Sequence, residues 1–153
     1  MNILLKKVTR ENWEEALNLK VEKQQEKFAP PVAVSLAKVY IKPDGDSVEY
    51  IPFAIYDDEV MVGFVMHAFE EGTKDMYWIN GFIIDKKYQG KGYGGAALSE
   101  MIGWIKSTFP ICTEIRLTVY KDNYNARRLY EKFGFQPTGE IWGEEDVLYL
   151  PVD

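Results

Sequence analysis

At 153 residues the chain has room for one packed core and not for two, and its apolar and charged fractions of 46% and 27% are those of a globular protein. No stretch approaches the roughly 20 consecutive apolar residues of a membrane helix. A formal net charge of −6 argues against a nucleic-acid partner, whose phosphates want a basic face. The same charge suits a cationic small molecule, although acidity serves solubility equally well. The opening stretch from Met1 to Trp13 lacks the long apolar core of a secretion signal, so the chain is expected to stay in the cytoplasm and off the membrane. Its single cysteine, Cys112, excludes an internal disulfide and reads as a buried strand residue. A nucleophilic role would need a histidine partner, and the only one is His67.

In chain order, Ile3–Val8 reads as a first strand. Thr9 can cap a helix over about Glu11–Val21, with Trp13, Ala16, Leu17 and Lys20 or Val21 facing inward. The segment from Glu22 to Pro31 turns polar and ends in two prolines, which predicts a loop or a bent connection. Ser35 can cap a short second helix over Leu36–Tyr40, and Lys42–Asp46 is a turn. Glu49–Tyr56 and Val60–Ala68 flank an acidic turn and form an antiparallel hairpin, and a further turn at Glu70–Asp75 leads into a strand over Met76–Ile84. From Ala96 the apolar residues Ala97, Leu98, Met101, Ile102 and Ile105 recur at helical spacing until Phe109 and Pro110 stop the helix. Glu114–Tyr120 is another strand and Asn123–Phe133 a helix ended by Gly134, while Phe135–Ile141 and Val147–Leu150 pair as terminal strands. The expected architecture is α/β in the α+β sense, a single domain over residues 1–153 with one mixed sheet carrying helices on its faces.

The most informative stretch is Gly81–Gly95, where the apolar Phe82, Ile83 and Ile84 end in a polar segment and a glycine-rich turn that feeds a helix. Glycines let successive backbone N–H groups converge on one anion, and the helix N-terminus adds partial positive charge. A nucleotide-hydrolase loop needs Ser or Thr after its Gly-Lys, and none follows here. Nor does the spacing of Gly90, Gly92 and Gly94 supply a dinucleotide fingerprint with its downstream acid.

What remains, Gln89-x-x-Gly92-x-Gly94, resembles the signature of the GNAT family of N-acetyltransferases, whose loop holds the pyrophosphate of acetyl-coenzyme A. The run Asn123-Tyr124-Asn125-Ala126-Arg127-Arg128-Leu129-Tyr130-Glu131-Lys132-Phe133-Gly134-Phe135 is similar to that family's second landmark, N-x-x-A-x-x-L-Y-x-K-x-G-F, with every landmark position filled. The resemblance implies a mostly antiparallel central sheet with about four helices, acetyl-coenzyme A as co-substrate, no metal, and a tendency to homodimers. It also implies that the backbone of Gln89, Gly90, Lys91, Gly92, Tyr93, Gly94 and Gly95 holds the pyrophosphate. Phe82, Ile83 and Ile84 would pair with the pantetheine arm like an added strand. Asn123 would contact that arm or cap the following helix, and Tyr130 would act as general acid at the cofactor sulfur. Tyr130 also fits the buried face of its own helix, with Ala126, Leu129 and Phe133.

A base is harder to assign. An alkyl amine titrates near 10.4, so roughly a few in ten thousand are neutral at pH 7. Polyamine acetyltransferases of this family often carry a glutamate where this chain has Asn80, which cannot take a proton. Candidates are Glu26, Glu70 or Asp75 through water, or His67. The segment Gln25–Pro31 with Ser35, Leu36 and Ala37 resembles the N-terminal region of bacterial BltD-type spermine/spermidine acetyltransferases, although Pro31 stands where asparagine is frequent. That resemblance implies a polyamine acceptor, with Glu22, Glu26, Glu70 and Glu71 meeting its charges. Trp13, Phe28, Tyr40, Trp78 and Trp142 would pack its methylenes. Two alternatives stay open at this point: an acetyltransferase for another amine, and a sensor that binds acetyl-coenzyme A without catalysis.

Overall fold

The computed structural model describes residues 1–152. Seven strands form one sheet in the order β1-β2-β3-β4-β5-β7-β6. They are β1 (Ile3–Lys7), β2 (Glu49–Asp57), β3 (Val60–Phe69), β4 (Tyr77–Ile84), β5 (Glu114–Tyr120), β6 (Gln136–Trp142) and β7 (Glu145–Pro151). Every neighbouring pair is antiparallel except β4 and β5. Helices α1 (Trp13–Leu17) and α2 (Val32–Ile41) cover one face, and α3 (Tyr93–Thr108) and α4 (Tyr124–Lys132) the other. Among the described residues no helix is long and apolar enough to cross a membrane.

Strand alternation divides the core in two. Val62, Val65, Tyr77, Ile79, Ile115, Leu117, Val119 and Leu148 pack against Leu98, Met101 and Ile105 of α3 and Tyr130 of α4. Tyr50, Ala54, Phe64, Met66 and Ala68 pack against Ala16 of α1 and Val32 and Leu36 of α2. Cys112 is buried as expected, but in the loop before β5 and not in a strand.

Three further expectations are corrected. The first helix is five residues long, and of its apolar residues only Ala16 is buried, with Trp13 45% exposed. It stops early because the next segment is claimed elsewhere: the Lys20 N–H donates to Asp85 Oδ2 at 3.0 Å and its carbonyl accepts from the Lys86 N–H at 2.8 Å. The stretch read as a loop contains a turn of 3-10 helix, Lys23–Phe28, stabilised at its start by a reciprocal capping box between Glu22 and Gln25. Ser35 does not cap the second helix; it lies buried inside α2, which begins at Val32 after Pro31.

Candidate active site

A bulge in β4 creates the site. Phe64 pairs with Ile83 and Met66 with Asn80, so one β3 residue faces two on β4, Gly81 and Phe82. Gly81 takes φ +57°, which glycine adopts without strain, and a Cβ there would sit 2.8 Å from Ser35 Oγ. The extra residue switches the phase of the strand: Ile79 faces the α3/α4 core, and beyond the bulge Phe82 and Ile84 face it again. Strand β4 then leaves β5. The two pair only at Trp78 and Arg116, so the last residues of β4 present unpaired backbone groups to an opening in the middle of the sheet.

That opening is a cleft of about 850 Å³. Its floor is the β4 edge from Trp78 to Ile84, and one end is the glycine loop with Gln89, Gly90, Gly92, Tyr93 and Gly94. Gly90 and Gly92 have φ of +75° and +89°, the left-handed backbone that turns N–H groups outward ahead of α3. The 16-residue α3 carries no acid in its first turn, so its N-terminus is free to receive an anion. It starts at Tyr93, three residues before the apolar periodicity announces it, and the Tyr93 hydroxyl donates to Asp57 Oδ2 at 2.6 Å, tying that end to β2. The loop's base is fixed by buried Asp85, whose carboxylate accepts from the N–H groups of Lys87 at 2.9 Å and Lys20. The Gln89 side chain is also engaged, donating to the Ile84 carbonyl at 2.9 Å and pairing with Gln25.

Other expected site residues distribute as follows. Asn123 lines the cleft at the head of α4, and its side chain makes no capping bond. Tyr130 enters from the α3/α4 side, 8% exposed. Burial pushes its hydroxyl up to about 12, so it remains a phenol at any working pH. Phe28, Glu70 and Asn80 also line the cleft, as do Trp78 and Trp142, stacked with ring centroids 5.1 Å apart. Lys91 and Gly95 are not among its lining residues, and Gly95 lies instead against Leu129 and Phe133 of α4. Glu26 lines a smaller recess next door. Glu22, Glu71, Asp75, Trp13 and Tyr40 line neither, and Tyr40 is 89% exposed on the far side of α2.

His67 is removed from the list of bases. Its ring is fully buried between Phe69, Tyr77, Trp104 and Phe109, away from the cleft. Nδ1 lies 2.9 Å from the Trp78 carbonyl, which can only accept, so Nδ1 carries the hydrogen, and Nε2 has no protein partner among the described residues. Desolvation drives its pKa down to about 4.

The structure also brings in residues that the sequence did not single out. Asp44, Thr118 and Glu145 line the cleft, with Thr118 Oγ1 donating to Glu145 Oε1 at 2.9 Å. An open strand edge leading into a glycine cradle at a helix N-terminus fits an extended ligand with an amide-bearing arm and a phosphate end.

The profile of the acetyltransferase (GNAT) family matches residues 9–135, and the chain belongs to that family. It is an acetyl-coenzyme A-dependent N-acetyltransferase. Two relatives from Bacillus subtilis, the spermine/spermidine N(1)-acetyltransferase of strain 168 and the probable spermine N(1)-acetyltransferase of subsp. natto strain BEST195, are each 32% identical over 146 residues, covering 92% of this chain and 92% of theirs. Among solved structures, the spermidine N-acetyltransferase from Vibrio cholerae in complex with CoA and spermine has a TM-score of 0.72 at 20% identity, covering 98% of this chain and 95% of that one. A domain from Methanocaldococcus jannaschii has a TM-score of 0.74 at 17% identity, covering 99% of both chains.

Proposed function

We propose that this enzyme acetylates a primary amine of a polyamine, of the spermine or spermidine class, by direct transfer with both substrates in the cleft at once. The observation that carries the substrate class is the composition of the wall facing the α1/α2 side. There Phe28 and the Trp78–Trp142 stack share the lining with the acids Asp44, Glu70 and Glu145. Aromatic surface for methylenes and spaced anions for ammonium groups match a linear polyamine. The names of the two Bacillus relatives point the same way.

Acetyl-coenzyme A supplies the activated acetyl group. The Gln89–Gly94 backbone and the α3 N-terminus would hold its pyrophosphate, the free edge of Phe82–Ile84 its pantetheine amides, and Asn123 a further polar contact. Tyr130 would place its hydroxyl toward the leaving sulfur. No protein group among the described residues takes that hydroxyl, and a phenol at about 12 is a donor and not a base. Complete proton transfer from it to a thiolate whose acid titrates near 8.5 is uphill by about 3.5 pH units, or about 5 kcal/mol. Its work is therefore a hydrogen bond to developing charge, with the proton coming finally from the acylated nitrogen. Cys112 is buried outside the cleft, its thiol raised by desolvation, so no cysteine stands ready for an acetyl-enzyme.

The test is release of free coenzyme A across spermine, spermidine, putrescine, an aminoglycoside and a lysine peptide. Preference for spermine or spermidine is the expected result. Preference for another amine overturns the substrate class, and binding of acetyl-coenzyme A with no acceptor at all turns the protein into a sensor.

A further inference from the structure

With Asn80 unable to take a proton and His67 walled off, the cleft needs another group to neutralise an incoming ammonium. The sheet register identifies one. Trp78 pairs with Arg116 in the parallel β4–β5 step, so two residues further on Asn80 and Thr118 face each other across the opening. Strand β5 then pairs with β7, with Tyr120 opposite Glu145. Ile115, Leu117 and Val119 point into the α3/α4 core with Leu148, and Asp146 reaches Arg127 of α4 at 2.6 Å. By strand alternation Thr118 and Glu145 point to the other face, that of Phe28, Trp78 and Trp142. The hydroxyl of Thr118 bends the Glu145 carboxylate back toward the level of Asn80. Tyr130 comes from the opposite face, so the two flank the opening from its two sides.

By backbone Glu145 lies roughly 12 Å from Asn80, two strands over and two residues along. Its bond to Thr118 is what brings the carboxylate back, and among the described residues no such bridge serves the other acids. Glu70 lies beyond the pair Phe69–Tyr77, four residues back along β4 from Asn80 or roughly 13 Å. The Asp44 carboxylate is taken by the Tyr50 hydroxyl, and Glu26 lines only the outer recess.

We infer that Glu145, held by Thr118, is the proton acceptor that makes the acceptor amine nucleophilic. The ammonium loses one proton to the Glu145 carboxylate, directly or through one water. The neutral nitrogen then forms the C–N bond as the thioester C–S bond breaks, and the second nitrogen proton leaves with the thiolate as thiol or passes to solvent. The recess that Glu145 lines also holds Lys38 of α2, Glu26 and Lys27 of the 3-10 helix and Tyr120 of β5, with Lys27 already paired to Asp122. Arg116, on the same face of β5 over the Trp78 ring, is paired to Glu114. The inference rests on acetyl transfer to an amine and not on the amine's identity.

The experiment is the pH profile of Glu145→Gln, which keeps an oxygen for Thr118 and removes the basicity, measured with whichever amine the wild type acetylates best. Expected is a loss of at least tenfold in kcat/KM for the amine at pH 7. The defect should shrink to within about threefold near pH 10, where the amine deprotonates by itself, while coenzyme A affinity stays within threefold. Thr118→Val, which leaves the carboxylate but frees it, should show a smaller defect with the same pH trend. A defect constant with pH in both variants, one confined to KM, or none overturns the inference. Should Glu145→Gln no longer bind coenzyme A, the pH trend of Thr118→Val decides. A wild-type preference for a non-polyamine overturns the substrate class and leaves Glu145 testable on that amine.

Discussion

Gln25 and Gln89 clasp each other through their side-chain amides, Gln25 Nε2 donating to Gln89 Oε1 at 3.1 Å and Gln89 Nε2 to Gln25 Oε1 at 3.0 Å. One belongs to the 3-10 helix Lys23–Phe28 and the other opens the glycine loop. The glycine-loop end of the cleft is thereby mechanically joined to the wall proposed to meet the amine.

Breaking that clasp should loosen the acceptor wall before it harms the cradle. Gln25→Ala removes three side-chain bonds, the two to Gln89 and the one its Oε1 accepts from the Glu22 N–H, worth about 1 kcal/mol each, while Gln89 keeps its bond to the Ile84 carbonyl. The expected outcome is a stability loss of about 2–3 kcal/mol, an acceptor KM raised at least threefold and a coenzyme A affinity changed less than twofold. Thermal melts with steady-state kinetics check it, and an unmoved KM would reduce the clasp to a structural fastening.

Tyr130→Phe should lower kcat at least tenfold with little change in coenzyme A affinity, because the ring still fills its buried site and only the unshared hydroxyl is lost. Since that hydroxyl titrates at about 12, the wild-type profile should show no alkaline fall from Tyr130 up to pH 10. An unchanged rate in the variant would take Tyr130 out of the chemistry.

Gly92→Val tests the cradle. A Cβ at this position has open space, with only the Met1 Cε at 3.9 Å, so crowding is not the issue; the φ of +89° is. A β-branched residue cannot hold that backbone without strain and will swing the loop's N–H groups out of register. Coenzyme A affinity by calorimetry should weaken at least tenfold with the fold intact, and tight binding would show that the loop does not hold the phosphates.

Elements whose signals are local are legible in the amino-acid sequence itself. The hairpin of β2 and β3, the long α3 and the glycine turn are written in alternation, helical spacing and glycine placement within short windows. What is not legible there depends on partners far away in the chain. Trp13 and Leu17 have helical spacing, yet α1 ends at Leu17 because Asp85 and Lys86 bind the Lys20 backbone. Trp78 meets Trp142, and Thr118 meets Glu145, only because β5 and β7 are adjacent in the sheet. In sequence Glu145 is one acid among Glu144, Glu145 and Asp146, with nothing to separate it; the pairing register sends alternate side chains to opposite faces. At Asn80 the family resemblance implies an acid that this chain lacks, and only the fold puts Thr118 across from it.

His67 should make the fold acid-sensitive in a defined window. Its folded pKa of about 4 lies below the ordinary 6.5, so between these values the unfolded chain binds a proton that the native ring refuses. Stability therefore holds above pH 6.5 and falls as pH drops toward 4, by roughly 3 kcal/mol from this residue alone. The cause is burial of the ring within its aromatic enclosure, which penalises the charged form. Replacing the ring with an apolar one of similar size, His67→Phe, removes the titration, at the cost of the bond to the Trp78 carbonyl. Urea midpoints measured at pH 7, 6 and 5 should fall more steeply for the wild type than for the variant. Parallel slopes would mean that other groups carry the acid sensitivity and that the buried ring is protonated as readily as an exposed one.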